Sequence, residues 1–203
     1  MRWSPLKPDA AIGELSDLLR QLDCVSAIRL YCGLAAGVRI YMTNRCRRQA
    51  MSHVSSDRNE VGGLLIGRAW ADAGQGGRGA PPVVLAERAV ASAEYRNSAV
   101  SLEMGTEIWN RVNAQAVGGS FVIGWYHSHP NLGAFFSGTD RRTQRAFFTQ
   151  SYSIGWVIDP FRHEERVFCG ADSDEYLRPI VALGDDVCFP QCHAASELPI
   201  APR

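Results

Sequence analysis

The chain has 203 residues, of which 46% are hydrophobic and 21% charged, and its 21 basic and 21 acidic residues give a formal net charge of zero. This composition excludes wholesale disorder, and the length predicts one domain with extensions rather than two full domains. Dedicated nucleic-acid binders are usually basic, so no nucleic-acid partner is expected.

The sequence also argues against a membrane or secreted protein. Its apolar runs fall short of the ~20 residues that a membrane helix needs, and its N-terminus has no apolar signal-peptide region. The six cysteines are dispersed along the chain, which fits a reduced protein better than a disulfide scaffold. We therefore expect a cytoplasmic protein without membrane contact.

The N-terminal part is predicted to contain a helix followed by two strands. Apolar residues recur at helical spacing over residues 12–22. Apolar and polar side chains roughly alternate over residues 25–32, which is typical of a strand. A second strand is predicted over residues 38–42.

The remaining elements alternate between helices and strands, which predicts a single α/β or α+β domain. A Gly- and Pro-rich stretch over residues 71–82 is predicted to be a loop. The predicted helices cover residues 45–54, 106–117 and 139–150, with Thr43 or Asn44 capping the first and Thr139 the last. The predicted strands cover residues 61–70, 83–90, 120–126, 152–158 and 166–170, with residues 127–138 as a loop.

The most informative segment runs from His127 to Asp140 and directly follows a predicted strand. Side chains at i and i+2 of an extended chain point to the same side, roughly 6–7 Å apart. His127 and His129 can therefore converge on one metal ion, and Asp140 can add an oxygen ligand. Two histidines and a carboxylate, with a fourth position left for water, form the donor set of a catalytic zinc site. Chance histidines on a surface strand would not explain why Pro130 and Ser137 also stand at fixed offsets.

The string His-x-His-Pro, six residues, Ser, two residues, Asp matches the JAMM motif, and the chain resembles the JAB/MPN family of zinc metalloproteases over residues 38–170. Glu60 precedes the Gly-rich apolar strand Val61-Gly-Gly-Leu-Leu-Ile-Gly67 and fits the position of the upstream glutamate of that family. The resemblance implies an α/β fold similar to cytidine deaminase, with a curved mixed sheet flanked by helices. Residues 1–37 are expected to form an N-terminal extension, a helix plus a strand packing on the core, and residues 171–203 a C-terminal tail.

The resemblance also implies a role for each site residue. His127, His129 and Asp140 correspond to the ligands of one Zn²⁺ per chain. Glu60 corresponds to the general acid/base, and Ser137 to the donor that stabilises the oxyanion. Together these groups suit the hydrolysis of a peptide or isopeptide bond.

Several residues near the motif allow two interpretations. Leu132, Phe135 and Phe136 either wall a groove for an extended peptide or pack beneath their loop. Arg141 and Arg142 either meet an acidic protein substrate or lie on a solvated helix face.

Two further features lie outside the motif. Val157-Ile-Asp-Pro160 resembles the family strand that follows the motif helix, and we interpret Asp159 as structural, with a supporting role behind the ligands as the alternative. Cys188, Cys192 and His193 could belong to a second metal site, although free cysteines in a tail are the simpler interpretation.

The resemblance implies a zinc-dependent isopeptidase or peptidase that acts after the C-terminal glycine of a ubiquitin-like protein. The chain looks like a compact bacterial member, similar to those paired with ubiquitin-like conjugation systems, including systems linked to antiphage defence. An alternative with the same zinc chemistry is a peptidase that releases an amino acid from a sulfur-carrier protein in cysteine or cofactor biosynthesis. A non-catalytic MPN scaffold is a third possibility, which the complete residue set disfavours.

Overall fold

The computed structural model describes residues 12–71, 81–93, 108, 110–112 and 118–184. Within these residues a curled, mixed nine-stranded sheet is flanked by helices, which confirms the predicted α/β class. The elements are β1 (Ile12–Glu14), α1 (Leu15–Gln21), α2 (Cys24–Ala35), β2 (Ile40–Thr43), α3 (Asn44–Val54), β3 (Gly62–Ala71), β4 (Val83–Ala91), β5 (Phe121–Ser128), α4 (Gly138–Phe147), β6 (Ile154–Asp159), β7 (Glu164–Cys169), β8 (Asp174–Glu175) and β9 (Val181–Leu183).

The sheet places the ends of three strands side by side. Its order is β8-β7-β6-β5-β3-β4-β2-β9, and β1 pairs in parallel with the far end of β3. The β3–β5 pair is antiparallel, with Gly62 opposite His127, and the β5–β6 pair is parallel, with Ser128 opposite Ile158. The start of β3 and the ends of β5 and β6 therefore meet at one edge of the sheet.

Residues from both predicted extensions join this sheet. The strand β1 pairs with β3, β9 pairs in parallel with β2, and β8 pairs with β7. The β1 pairing means that the predicted helix over 12–22 begins three residues late, since Ile12–Glu14 is extended and α1 covers Leu15–Gln21.

The predicted strand over residues 25–32 is wrong, because these residues lie in helix α2. The Asp23 side chain caps this helix by accepting hydrogen bonds from the backbone N–H groups of Val25 and Ser26. Its buried residues, Ser26, Leu30 and Gly33, follow helical spacing. Large apolar side chains also lie on the exposed face of α2. The resulting sequence resembles the alternation of apolar and polar residues in a strand.

Helices α3 and α4 begin close to their predicted starts. Thr43 caps α3 by accepting a hydrogen bond from the backbone N–H of Cys46, one of the two caps that the sequence predicts. The predicted cap of α4 is wrong, because Ser137 rather than Thr139 is its N-cap.

The core of the domain fills both faces of the sheet. One apolar cluster joins α3 to strands β2 to β6, and a second surrounds Trp125 on β5 with Phe136, Phe148 and Phe168. The indole N–H of Trp125 donates to the buried side chain of Gln144 on α4 at 2.6 Å, which ties this helix to the sheet.

Some sequence predictions fall largely outside the described residues. These are the loop over 71–82 and the helix over 106–117, of which residues 108 and 110–112 are helical. The Cys188, Cys192 and His193 cluster also lies outside them. No helix in the described part of the chain has both the length and the apolar character needed to cross a membrane.

Candidate metal centre

The three predicted ligands converge at the edge where β3, β5 and β6 meet. His127 is the penultimate residue of β5, His129 follows that strand, and Asp140 lies in the first turn of α4. The two Nε2 atoms lie 3.2 Å apart. The Asp140 carboxylate oxygens lie 3.3 Å from Nε2 of His127 and 3.6 Å from Nε2 of His129. All three residues are buried, and among the described residues they form the one group of His, Cys, Asp or Glu donors close enough to hold a metal ion.

The spacing of these donor atoms fits a tetrahedral zinc ion. Zinc bonds of about 2.0–2.1 Å in a tetrahedron place neighbouring ligand atoms about 3.3–3.4 Å apart. The 3.2 Å between the two Nε2 atoms and the 3.3 Å between Oδ1 of Asp140 and Nε2 of His127 lie close to that value, and the 3.6 Å to Nε2 of His129 is measured from the other oxygen, Oδ2. Three protein donors leave a fourth position open, as in catalytic rather than structural zinc sites.

Asp140 is oriented by a capping box with Ser137. Its backbone N–H donates to the Ser137 hydroxyl at 3.2 Å, and the Ser137 backbone N–H donates to its Oδ2 at 2.6 Å. Burial raises the pKa of Asp140, but the hydrogen bond to His127 and the electrostatic attraction between them, together with the bonds to Ser137, outweigh burial and lower the pKa to about 2. The carboxylate is therefore ionised at neutral pH, as a metal ligand must be.

Ring stacking and burial fix the side chains of the two histidines. The His127 ring stacks on Trp125, with centroids 4.6 Å apart and planes 8° apart. Burial and the neighbouring His127 lower the pKa of His129, against the attraction of Asp140. Neutral imidazole is the ligand form, so this environment suits metal binding.

Glu60 stands beside these ligands in the segment that leads into β3. It is half-buried, and its carboxylate interacts electrostatically with His127 and Asp140. Burial raises the pKa of Glu60; the neighbouring His127 opposes this rise and the negative charge of Asp140 reinforces it. A carboxylate with a raised pKa is a stronger base than an ordinary carboxylate, which suits it to take up a proton.

Ser128, between the two histidines, fixes the residue that follows Glu60. Its hydroxyl accepts a hydrogen bond from the backbone N–H of Val61 at 3.0 Å, and its own N–H donates to the Val61 carbonyl at 2.8 Å. Sequence reasoning missed this contact, because only the strand register places Val61 opposite Ser128.

The apolar residues of the loop between the ligands divide into two groups. Phe136 is buried and stacks on Phe168, with centroids 4.0 Å apart, so it packs beneath the loop. Leu132 and Phe135 are 58% and 46% exposed, and the Phe135 ring lies 4.8 Å from the His129 ring. Phe161, in the turn after β6, is 43% exposed and was not singled out by the sequence.

Arg141 and Arg142 of α4 are exposed but make contacts within the protein. Arg141 donates to the carbonyl of Ser173 at 3.1 Å, and its guanidinium lies 5.8 Å from the centre of the Phe168 ring. Arg142 donates to the Thr139 hydroxyl at 2.9 Å, within its own helix.

Comparison with known protein families gives a match to the prokaryotic homologs of the JAB domain over residues 43–168. This range contains Glu60, Ser137 and all three converging ligands.

Short segments also match curated eukaryotic proteins. The chain is 48% identical over 42 residues to 26S proteasome non-ATPase regulatory subunit 14 of Dictyostelium discoideum, which is 20% of this chain and 14% of that protein. It is 43% identical over 42 residues to ubiquitin carboxyl-terminal hydrolase RPN11 of Saccharomyces cerevisiae, again 20% of this chain and 14% of that protein. It is 38% identical over 80 residues to COP9 signalosome complex subunit 5 of Debaryomyces hansenii, which is 30% of this chain and 16% of that protein. The matches therefore span only a small part of the length of these relatives.

Among solved structures, the fold is similar to the solution structure of protein DSY2949 from Desulfitobacterium hafniense. The TM-score is 0.50 at 22% sequence identity, over 71% of this chain and 92% of that one. This similarity concerns the fold alone.

Proposed function

Because the chain belongs to the prokaryotic JAB family, we propose that it is a zinc-dependent peptidase or isopeptidase that hydrolyses the bond after the C-terminal glycine of a ubiquitin-like protein. The observation that carries this proposal is the convergence of the buried side chains of His127, His129 and Asp140, with the Glu60 carboxylate beside them. A scaffold would not need an acid/base group next to three buried metal donors.

Each of the three ligands has a defined part in holding the ion. The two imidazoles would bind through Nε2, and Asp140 would bind through the carboxylate that its capping box orients. Zinc bound there supplies Lewis acidity, which polarises a carbonyl group and makes water nucleophilic at neutral pH.

Glu60 performs the proton transfers of the hydrolysis. Its carboxylate takes a proton from the attacking water as the new C–O bond forms at the scissile carbonyl. It then gives that proton to the leaving nitrogen as the C–N bond breaks. The raised pKa of Glu60 favours the first step, because a carboxylate with a higher pKa is the stronger base toward the attacking water.

Ser137 is placed to stabilise the oxyanion. Its hydroxyl oxygen already accepts a hydrogen bond from the backbone N–H of Asp140 at 3.2 Å. A hydroxyl that accepts at oxygen keeps its hydrogen for donation. That hydrogen can be given to the negative oxygen that develops on the substrate carbonyl.

The substrate class rests on the relatives. One matched protein is named as a ubiquitin carboxyl-terminal hydrolase, and the others are subunits of the proteasome and of the COP9 signalosome. We propose that the substrate belongs to a bacterial ubiquitin-like conjugation system in the cytoplasm, with antiphage systems among the settings to examine; the match to prokaryotic homologs supports a prokaryotic setting.

A cleavage assay with defined probes tests the proposal. Zinc-loaded protein is incubated with bacterial ubiquitin-like proteins and with sulfur carriers, each joined through its C-terminal glycine to a reporter. The junction is either an α-amide or a lysine ε-amide. Mass spectrometry of the products locates the cut, a chelator removes the metal, and the Glu60→Gln variant is the matched control.

The expected result is a cut after the terminal glycine of a ubiquitin-like probe that needs both zinc and Glu60. Preference for sulfur carriers bearing one added amino acid would replace the substrate class with the biosynthetic alternative. No cleavage of any probe by zinc-loaded wild-type protein, or equal cleavage by Glu60→Gln, would contradict the proposed reaction.

A further inference from the structure

The buried carboxylate of Asp159 accepts hydrogen bonds from the loop that separates two of the metal ligands. The ligand loop is the segment of residues 130–136 between His129 and Ser137. Asp159 is the last residue of β6 and has no exposed surface. Its charge is balanced by four backbone N–H groups, two from its own turn and two from the ligand loop, and by the Arg162 guanidinium, whose Nε lies 3.9 Å from Oδ2.

The two carboxylate oxygens of Asp159 divide their partners. Oδ1 accepts from the N–H groups of Phe161 at 3.0 Å and Arg162 at 3.1 Å, which closes the turn after β6. The same oxygen accepts from Asn131 at 3.2 Å, and Oδ2 accepts from Gly133 at 2.8 Å. The side chain therefore joins the β6–β7 turn to the ligand loop.

The loop residues that Asp159 binds have unusual backbone conformations. Asn131 has a φ of 61° and Gly133 a φ of 89°, both in the left-handed region. This region is costly for residues other than glycine, and asparagine is among the better tolerated. Hydrogen bonds from both N–H groups to one fixed carboxylate offset that cost and select this loop shape.

The loop shape in turn fixes the backbone of His129. The N–H of His129 donates to the carbonyl of Ile158 at 2.9 Å, and its carbonyl accepts from Leu132 at 3.2 Å. His129 is thus the first residue of a tight turn whose third residue, Asn131, bonds to Asp159, and Gly133, which directly follows the turn, bonds to it as well. A shift of this turn would move the imidazole relative to His127 and Asp140.

We propose that Asp159 is a positioning residue for the metal centre: it holds the ligand loop so that Nε2 of His129 meets the other two donors. The inference rests on the metal-dependent function proposed above. Metal-site residues behind the ligands commonly change metal affinity about 10–100-fold when they are mutated.

The test measures zinc affinity with Asp159→Asn. An asparagine oxygen can keep the partners of Oδ1, but its NH₂ group then faces the N–H of Gly133, donor against donor. Zinc affinity is measured by competition with a chromophoric chelator, and the absorption spectrum of the Co²⁺-loaded protein reports the ligand geometry. The expected result is a loss of zinc affinity of about 10–100-fold with an altered Co²⁺ spectrum.

Two further variants separate positioning from general stability. Asp159→Ser keeps a hydroxyl that can close the turn after β6 but is too short to reach the loop, so it should show the same loss if Asp159→Asn does not fold. Glu87→Gln changes a partly buried carboxylate on β4 and should leave both zinc affinity and the Co²⁺ spectrum unchanged.

The outcomes distinguish the positioning role of Asp159 from the metal-dependent function. Wild-type zinc affinity and an unchanged Co²⁺ spectrum in the folded Asp159 variants would overturn the positioning role and leave the proposed function intact. Wild-type protein that binds no zinc would overturn the metal-dependent function and the positioning role together.

Discussion

Asp140 connects the start of a helix with the chemistry of the site. Its backbone N–H and one carboxylate oxygen complete the capping box with Ser137, and its other oxygen faces His127 at 3.3 Å. The motif spacing of Ser and Asp is therefore also the spacing of an N-cap and its third helical residue. One local structure orients both the metal ligand and the hydroxyl proposed for the oxyanion.

Glu60→Gln is expected to separate metal binding from turnover. Glutamine keeps the size of the side chain but cannot take up a proton, so turnover should fall by about 10²–10⁴-fold or more while zinc remains bound. Steady-state cleavage of a ubiquitin-like fusion, with zinc content measured on the same sample, checks this. A rate within a few-fold of the wild-type rate would exclude Glu60 as the acid/base.

Ser137→Ala is expected to lower turnover by about 10²–10³-fold through loss of an oxyanion donor. Loss of the cap should also lower the free energy of unfolding by about 1 kcal/mol. Thr43→Ala removes the corresponding cap of α3 and serves as the matched control, with a similar loss of stability and normal turnover. If both variants keep normal turnover, Ser137 is only a cap.

At the scale of elements, the strands that carry the site were predictable and helix α2 was not. The apolar runs of β3, β5 and β6 are buried on both faces, so their sequences are continuously hydrophobic. In α2, by contrast, Val25, Ile28 and Tyr31 are 59%, 63% and 72% exposed. Apolar residues on the solvent face obscured the helical period, and the Asp23 cap was the overlooked signal.

The positions of side chains in the loop between the ligands could not be predicted from the local sequence either. The string from His127 to Asp140 identified the donors, but whether Phe136 lies in a groove or in the core depends on Phe168, a residue of β7. Likewise, the four hydrogen bonds of Asp159 join segments that are distant in sequence. Such contacts follow from sheet order, which no local pattern contains.

The packing of α4 against the sheet predicts an effect of Gly155 on β6. A Cβ atom there would lie 2.4 Å from Phe136, 3.0 Å from Gln144 and 3.0 Å from Trp125. Gly155→Ala should therefore lower the free energy of unfolding by about 1–3 kcal/mol, as overpacked cores do. Gly138→Ala, where the nearest atom is the tip of Arg142 at 3.7 Å, is the control and should cause no loss. Equal stability of the two variants in urea unfolding would contradict the tight packing at Gly155.

At the scale of the whole molecule, the stability of the sheet is coupled to pH through Glu87 on β4. Burial raises the pKa of Glu87 to about 7, although Arg68, bonded to it at 2.7 Å, and Arg88 oppose the rise. The folded protein thus holds a proton that the unfolded chain releases near its usual pKa of 4.5. Between these values, the contribution of Glu87 to the free energy of unfolding falls as pH rises.

Glu87→Gln should remove this pH dependence, because glutamine does not titrate. The difference in unfolding free energy, wild type minus variant, is expected to decrease between about pH 5 and about pH 8. The contributions of other titrating groups to the unfolding free energy cancel in that difference. Urea unfolding at the two pH values measures it. A difference that stays constant, or grows with pH, would show that Glu87 titrates below this range in the folded protein.

Zinc stoichiometry shows whether His127, His129 and Asp140, from β5, its following loop and α4, form one zinc site. Native mass spectrometry of the wild type, His129→Ala, Asp140→Ala and Glu60→Gln gives the number of ions per folded chain. We expect one zinc ion in the wild type and in Glu60→Gln. His129→Ala and Asp140→Ala should lose both the zinc ion and activity. Full zinc occupancy in either ligand variant, or none in the wild type, would contradict this assignment.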